Sequence, residues 1–143
     1  MKRFVCIIGV MLVLLGVRLG DNGLHGLAVS GDAVFSVYRS GGATEVMPYG
    51  EVPLLSRWGV TGGYLAQRID FKGEIGCVAD ILRQLGAREV RREYLNGGEL
   101  TVIYAISRRL RRRTSEQWGE FNVMIAVRGG RVAVGYPVLI GSF

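Results

Sequence analysis

Five arginines lie within six consecutive residues, and no other pattern in the sequence has clearer chemistry. They are Arg108, Arg109, Arg111, Arg112 and Arg113. A guanidinium group donates forked hydrogen bonds that suit a phosphate or a carboxylate, and each basic residue near anionic lipid adds about 1 kcal/mol of binding free energy. The run therefore predicts an anion-binding loop. The alternative is a solvated loop in a chain that uses arginine throughout, with 16 arginines against two lysines.

The residues that common catalytic and metal sites need are scarce. His25 is the only histidine, and it lies in or beside the N-terminal segment that also holds Cys6, which leaves Cys77 as the only other cysteine. A Ser-His-Asp triad, a Cys-His pair and a zinc site each lack a required member. We therefore expect no catalytic residues, no metal and no cofactor, and we expect Cys77 to be a small buried apolar residue.

Carboxylates could in principle act without histidine. Asp70 and Glu74 are four residues apart at the predicted start of a helix, and glycoside hydrolysis can run on two carboxylates. Acidic groups in a first helical turn are also favoured by the helix dipole, by about 0.3–1 kcal/mol. We interpret the pair as electrostatic and keep a small carboxylate-based enzyme as an alternative.

Helices and strands must hold the arginine run in place. The spacing of apolar residues predicts a helix that precedes the run in the sequence. From Phe71 onward, apolar residues recur at three- and four-residue steps until Gly86 ends the helix. These positions are Phe71, Ile75, Val78, Ala79, Leu82 and Leu85. Further upstream, residues 33–38 alternate like a short strand, and two prolines in residues 43–60 predict a loop or a short helical turn with Trp58 packed.

Two hairpins surround the arginine run. Residues 90–94 and 100–106 flank an Asn-Gly-Gly turn, and residues 121–128 and 132–136 flank a Gly-Gly turn. The arginines lie between the hairpins, in a loop or short helix over residues 107–119. The predicted fold class is therefore α+β, with one main helix packed on an antiparallel sheet built from consecutive hairpins.

The N-terminal segment predicts export. A basic start precedes an uncharged apolar run over residues 4–17. At about 1.5 Å per residue this run covers about 21 Å, less than the ~30 Å hydrocarbon core, which favours a signal peptide over a spanning helix. We assign residues 1–30 to a signal peptide or N-terminal membrane anchor, with cleavage after Ala28 or Ser30, and residues 31–143 to a single domain.

Asn122 is polar within a strongly apolar strand pattern. It falls on the predicted face of Met124 and Ala126, where an unpaired amide would be costly. We therefore expect it to face water or to form specific hydrogen bonds with a neighbouring loop, and ligand contact is the alternative.

Several short stretches carry a resemblance to a known family. They are Leu85-Gly86-Ala87 followed by Val90, Thr101-Val102-Ile103-Tyr104, the strand from Phe121 to Arg128, and Gly135-Tyr136-Pro137-Val138-Leu139-Ile140. Together they resemble the closing module of the YwmB family, exported proteins of endospore-forming Firmicutes with a TATA-box-binding-protein-like fold. The resemblance covers about residues 60–143, and its most specific elements are Asn122, Gly135 and Pro137, which we interpret as structural. It implies a single such module outside the membrane, with no assigned activity.

These patterns lead to one expected function and two alternatives. The charge of +6 falls to +3 once Lys2, Arg3 and Arg18 are set aside with the N-terminal run. We expect an exported, non-enzymatic protein of the cell envelope that binds anionic lipid, a wall polymer or an envelope protein. A nucleic-acid-binding module that uses the arginine loop is the first alternative, although an exported chain meets little nucleic acid. The carboxylate enzyme is the second.

Overall fold

The computed structural model describes residues 23–29, 32–39, 44–48 and 64–143. Within these ranges one α-helix, α1 (Val78–Leu85), lies against one large antiparallel sheet, which confirms the α+β prediction. The strands are β1 (Val34–Arg39), β2 (Thr44–Pro48), β3 (Tyr64–Lys72), β4 (Ala87–Leu95), β5 (Leu100–Ser107), β6 (Thr114–Glu116), β7 (Gly119–Phe121), β8 (Val123–Arg128) and β9 (Arg131–Tyr136). A separate two-stranded sheet pairs β6 with β7.

The large sheet has seven strands in the order β2–β1–β3–β9–β8–β5–β4, and all neighbouring pairs are antiparallel. Both predicted hairpins are confirmed: β4 and β5 join through Asn96–Gly98, and β8 and β9 join through Gly129 and Gly130. The φ angles of Gly129 and Gly130 are 52° and 75°, a conformation that suits glycine and matches the twist of paired strands. Because β5 pairs with β8, the two hairpins form one four-stranded unit, and β3 extends it by pairing with β9.

The helix begins later than the apolar spacing predicts. Phe71 belongs to β3, where its register partner is Val132, and Ile75 lies in a 3-10 turn (Ile75–Cys77) with 46% of its surface exposed. The prediction that these residues start the helix is therefore wrong, because the alternation of β3 extends to Lys72 and the chain then turns before α1. The predicted end is correct, since Gly86 closes α1 with a left-handed φ of 57°.

Residues 44–48 form a strand, and the loop or helical turn predicted for this stretch is wrong. β2 pairs with β1 from Thr44 to Pro48 at one edge of the sheet. A proline is tolerated there because an edge strand can leave one of its backbone groups unpaired. Residues 49–63, and with them Trp58 and its predicted packing, lie outside the described residues.

The apolar core lies between α1 and one face of the sheet. From α1 it contains Val78, Ile81 and Leu85, and from the central strands it contains Ile69, Val134, Ile125 and Ile103 among others. Leu24 and Leu27 also belong to it, with 0% and 1% of their surface exposed. The described domain thus includes residues 23–29, which the sequence-based boundary assigns to the N-terminal segment.

Hydrogen bonds fix residues 23–29 in place. The backbone N–H of Leu24 donates to Oε1 of the buried Gln67 at 2.9 Å. On α1, Gln84 accepts from the N–H of Ala28 at 2.7 Å and donates to its carbonyl at 3.1 Å. This short segment is therefore tied both to β3 and to the helix.

The C-terminal residues cross the opposite face of the sheet. Gly135 of β9 leaves room for them, because a Cβ at this position would lie 2.5 Å from Cα of Leu139. Arg68 on the adjacent strand donates to the carbonyls of Ile140 at 2.9 Å and Ser142 at 3.1 Å. Pro137, which follows a cis peptide bond, is where the chain leaves β9. We call residues 137–143 the C-terminal tail.

Candidate functional site

The arginine loop, residues 107–113, starts from a fully buried anchor. The Oδ1 of Asn122 accepts from the N–H of Ser107 at 2.7 Å, and its Nδ2 donates to the carbonyls of Ser107 at 2.8 Å and Leu110 at 3.0 Å. Asn122 has no exposed surface. The hydrogen bonds to a neighbouring loop expected of this residue are therefore present. The prediction that Asn122 lies within the strand is wrong, because it lies in a bend just before β8.

Two further contacts hold the rest of the loop. Leu110 is 5% exposed and belongs to the core, and the backbone N–H of Arg112 donates to the hydroxyl of the buried Tyr136 at 3.1 Å. The loop is thus held at its start, middle and end. A loop fixed at three points loses little further conformational entropy when it binds a partner.

Arg109 caps the helix. Its Nη1 donates to the carbonyl of Gln84 at 3.1 Å. Its Nε packs so closely on Gly86 that a Cβ at that position would lie only 2.7 Å from it. Ser107 assists from the same loop, since its hydroxyl donates to the carbonyl of Leu85 at 2.6 Å. A positive charge beside the last carbonyls of a helix is favoured by the helix dipole. Arg109 therefore has a structural role at the end of α1.

The remaining four arginines of the run differ in their exposure and in whether they form hydrogen bonds or ion pairs. Arg113 forms an ion pair with Glu120 at 3.4 Å, and Arg112 is half-buried beside Tyr136. Arg108 and Arg111 are exposed, and neither forms a hydrogen bond or an ion pair with any described residue. The five positions predicted as one anion-binding patch thus have unequal roles. Only the guanidinium groups of Arg108 and Arg111 are free of partners among the described residues and can bind an anion without breaking a contact.

The segment after the run contains a short hairpin, β6 and β7, instead of the loop or helix expected. Trp118 at its turn stacks on Phe121 with ring centroids 5.4 Å apart, and the ring of Tyr104 of β5 makes a T-shaped contact with both. Arg91 of β4 lies over the Trp118 ring at 5.2 Å. These contacts hold the hairpin against the sheet and fix the far end of the loop.

The predicted carboxylate pair, Asp70 and Glu74, does not come together: Asp70 lines a cavity with Asp32, Lys72 and Arg131, and Glu74 does not line it. Asp70 lies in β3, paired with Arg68, and Glu74 precedes the 3-10 turn without a capping hydrogen bond, so their predicted shared place in a first helical turn is wrong. Glu99 pairs with Arg128 and Glu120 with Arg113. Among the described residues, no three histidine, cysteine, aspartate or glutamate side chains come together as metal ligands.

Cys77 lies in the 3-10 turn before α1 and is half-buried. Burial raises the pKa of its thiol, because desolvation penalises the thiolate. The thiol is therefore a weaker nucleophile near neutral pH than an exposed cysteine.

Sequence reasoning missed Arg68, which is 8% exposed. It binds both carboxylate oxygens of Asp70 at 2.7 Å, and these hydrogen bonds raise the pKa of the guanidinium. The only signal in the sequence is the spacing of the two residues, which places them on the same face of a strand. Their opposite charges at that spacing predict an ion pair, but the tail that covers it includes Ile140, 72 residues further along the chain.

None of the helices in the described ranges is long and apolar enough to cross a membrane. No family model, no curated protein and no solved structure matches this chain.

Proposed function

We propose that this protein is exported and acts without catalysis, by binding an anionic surface of the cell envelope through Arg108 and Arg111. The observation that carries the proposal is that the arginine loop has a fixed backbone but two guanidinium groups that are unpartnered within the described ranges. Its backbone is held by Asn122, Leu110 and Tyr136, while these two guanidinium groups are exposed and have no partner among the described residues.

The expected strength of this contact is modest. Two basic residues near anionic lipid add about 2 kcal/mol together, which corresponds to roughly a thirtyfold gain in affinity. That gain matters most for a domain already held close to the surface, since tethering makes the second contact effectively intramolecular. The proposed binding therefore goes together with an N-terminal segment that stays attached.

The packing of residues 23–29 supports the anchored form over the secreted one. Cleavage after Ala28 or Ser30 would remove Leu24 and Leu27 from the core. Only residues 18–22 separate Gly23 from the apolar run, and five extended residues reach at most about 18 Å. In the anchored form the domain stays within that distance of the outer face of the membrane.

The resemblance to the YwmB family supports the same placement outside the membrane. The resemblance implies a helix packed on an antiparallel sheet, and we propose that α1 with β4, β5, β8 and β9 corresponds to a single TATA-box-binding-protein-like module. β1 and β2 extend the sheet beyond that unit.

Vesicle binding tests the proposal. The chain from Arg18 onward, which keeps the whole described domain, should bind vesicles containing anionic lipid more tightly than neutral vesicles. The preference should fall as added salt shortens the Debye length from about 10 Å at 0.1 M to about 3 Å at 1 M. Arg108→Ser/Arg111→Ser should lower binding to anionic vesicles at least tenfold. Equal binding of this variant and the unaltered protein would disprove the role of the loop.

A charge-matched control separates the loop from overall charge. Lys72→Ser/Arg131→Ser also removes two exposed positive charges, but at the opposite end of the strands. It should keep the vesicle preference. Arg109 must stay in every variant, because its loss would also remove a cap of α1.

The nucleic-acid alternative is less well supported. Proteins that read DNA with a sheet lay its strands in a groove, and here the sheet face opposite α1 carries the C-terminal tail. Fusing residues 1–30 to a reporter that works only outside the cytoplasm decides the compartment. Reporter activity supports export, and its absence would favour the nucleic-acid module.

A further inference from the structure

Three basic residues stand side by side on neighbouring strands at one end of the sheet. Lys72 of β3 is the register partner of Arg131 of β9, and Arg131 is the register partner of Arg128 of β8. Directly opposite residues point to the same face and have Cβ atoms about 5 Å apart, so like charges in such pairs destabilise a sheet. We call these three residues the basic row.

Hydrogen bonds and ion pairs among the described residues offset these charges only in part. Lys72 and Arg131 are exposed and form no hydrogen bond or ion pair with a described residue. Arg128 donates to the carbonyl of Phe143 at 3.2 Å and lies 3.7 Å from the exposed carboxylate of Glu99. The nearby Asp70 is already bound through both oxygens to Arg68. Two of the three positive charges therefore form no ion pair with a described residue, although Asp32 and Asp70 line a cavity together with Lys72 and Arg131.

Two members of the basic row, Arg128 and Arg131, border a cleft that is large enough for a ligand, and Lys72 lines a second cavity that shares Asp70 and Arg131 with it. The cleft has a volume of about 500 Å³ and is bordered by Arg68, Asp70, Arg128 and Arg131, with Ser142 and Phe143 of the tail at its side. The Phe143 ring is 5.8 Å from the guanidinium carbon of Arg68. This volume falls within the range of about 300–1,000 Å³ that small-molecule sites occupy.

We propose that this cleft and the cavity beside Lys72 together bind a small phosphorylated ligand, with its phosphate groups held by Arg131, Arg128 and Lys72. Adjacent strands are about 4.8 Å apart, so the row spans about 10 Å. That span suits two linked phosphates, such as a diphosphate group, better than one carboxylate. A guanidinium group can also donate two parallel hydrogen bonds to two oxygens of one phosphate. Phe143 offers an apolar surface for the rest of the ligand.

This site is independent of the proposed function. Arg131 begins β9 at the Gly-Gly turn, whereas Tyr136, which holds the arginine loop, ends the same strand. The two sites therefore lie at opposite ends of the sheet. A variant of one site leaves the other intact.

Titration of the full chain in neutral detergent with inorganic pyrophosphate tests the proposal. The backbone amide NMR signals of Gly129 and Gly130 should shift as pyrophosphate is added. Lys72→Ser/Arg131→Ser should weaken pyrophosphate binding at least tenfold. Arg108→Ser/Arg111→Ser, which removes the same charge from the arginine loop, should bind pyrophosphate like the unaltered protein. Equal weakening in both variants, or no shift at all, would overturn the proposal.

Two further measurements identify the ligand chemistry. Citrate, a carboxylate anion with nearly the same charge as pyrophosphate near neutral pH, should bind at least tenfold more weakly than pyrophosphate, and equal binding would rule out a phosphate site. Pyrophosphate should raise the melting temperature of the unaltered protein and leave that of Lys72→Ser/Arg131→Ser unchanged. If the row variant instead lost vesicle binding and kept pyrophosphate binding, the row would contact lipid headgroups and the small-ligand site would be disproved.

Discussion

Asn122 binds both backbone groups of Ser107, the last residue of β5, with one side-chain amide. The backbone pairing of β5 with β8 ends at Ala105 and Val123, and the N–H of Asn122 still donates to the carbonyl of Ala105 at 3.0 Å. Beyond that point the chain bends away and the side chain of Asn122 continues the pairing. The arginine loop therefore starts at the end of β5, where a side chain replaces the backbone of β8 as the hydrogen-bonding partner.

Asn122→Ala should lower the free energy of unfolding by about 3 kcal/mol, because it leaves the buried N–H and C=O of Ser107 and the C=O of Leu110 without their partner. Urea unfolding followed by circular dichroism measures the change. Gln117→Ala, which truncates an exposed amide in the adjacent hairpin, should change it by less than about 0.5 kcal/mol. Similar losses in both variants would contradict the role given to Asn122.

Gly135→Ala should destabilise the protein by about 2–4 kcal/mol, because the added Cβ would meet the backbone of Leu139 and push the C-terminal tail off the sheet. Thermal unfolding measures the loss. Gly76→Ala is the matched control, since nothing lies within 4 Å of a Cβ there. We expect it to be neutral or stabilising by up to about 1 kcal/mol. A neutral Gly135→Ala would show that the tail does not need this close approach.

Removal of residues 23–29 should cost about 3–6 kcal/mol, because Leu24 and Leu27 are each worth about 1.5–3 kcal/mol of burial. A chain that starts at residue 31 should therefore unfold at lower urea concentration than one that starts at Gly23. We also expect mass spectrometry of the native protein to place its N-terminus at or before Gly23. An N-terminus at residue 29 or 31, with full stability, would contradict this assignment.

The hairpins could be predicted because their signals are local. In β8 and β9 the side chains alternate between the core and the opposite face, and Gly129-Gly130 marks the turn within two residues. The end of α1 at Gly86 is equally local. The start of α1 was missed because Phe71 and Ile75 fit a helical spacing, while only the pairing of β3 with β9 shows where the strand ends.

The roles within the candidate site could not be predicted, because they depend on distant contacts. Arg108 and Arg109 are neighbours of the same type, yet only Arg109 reaches the end of α1, 25 residues earlier in the sequence. Arg68 likewise looks like a surface residue of a strand until the C-terminal tail covers it. Spacing identified the arginine run as a group, and the fold determines which of its members are free.

The place of β3 in the sheet has a consequence for folding kinetics. Arg128 and Arg131 pair across a turn of two residues, whereas Gln67 of β3 pairs with Tyr136, 69 positions later. Closing a long loop carries an entropy penalty that rises with its length and slows folding. We therefore expect the unit of β4, β5, β8 and β9 to form early and β3 to join it late. Because the buried Arg68 and its contacts with the tail depend on that late step, the cleft beside the basic row is completed only when the last long-range pairing has formed.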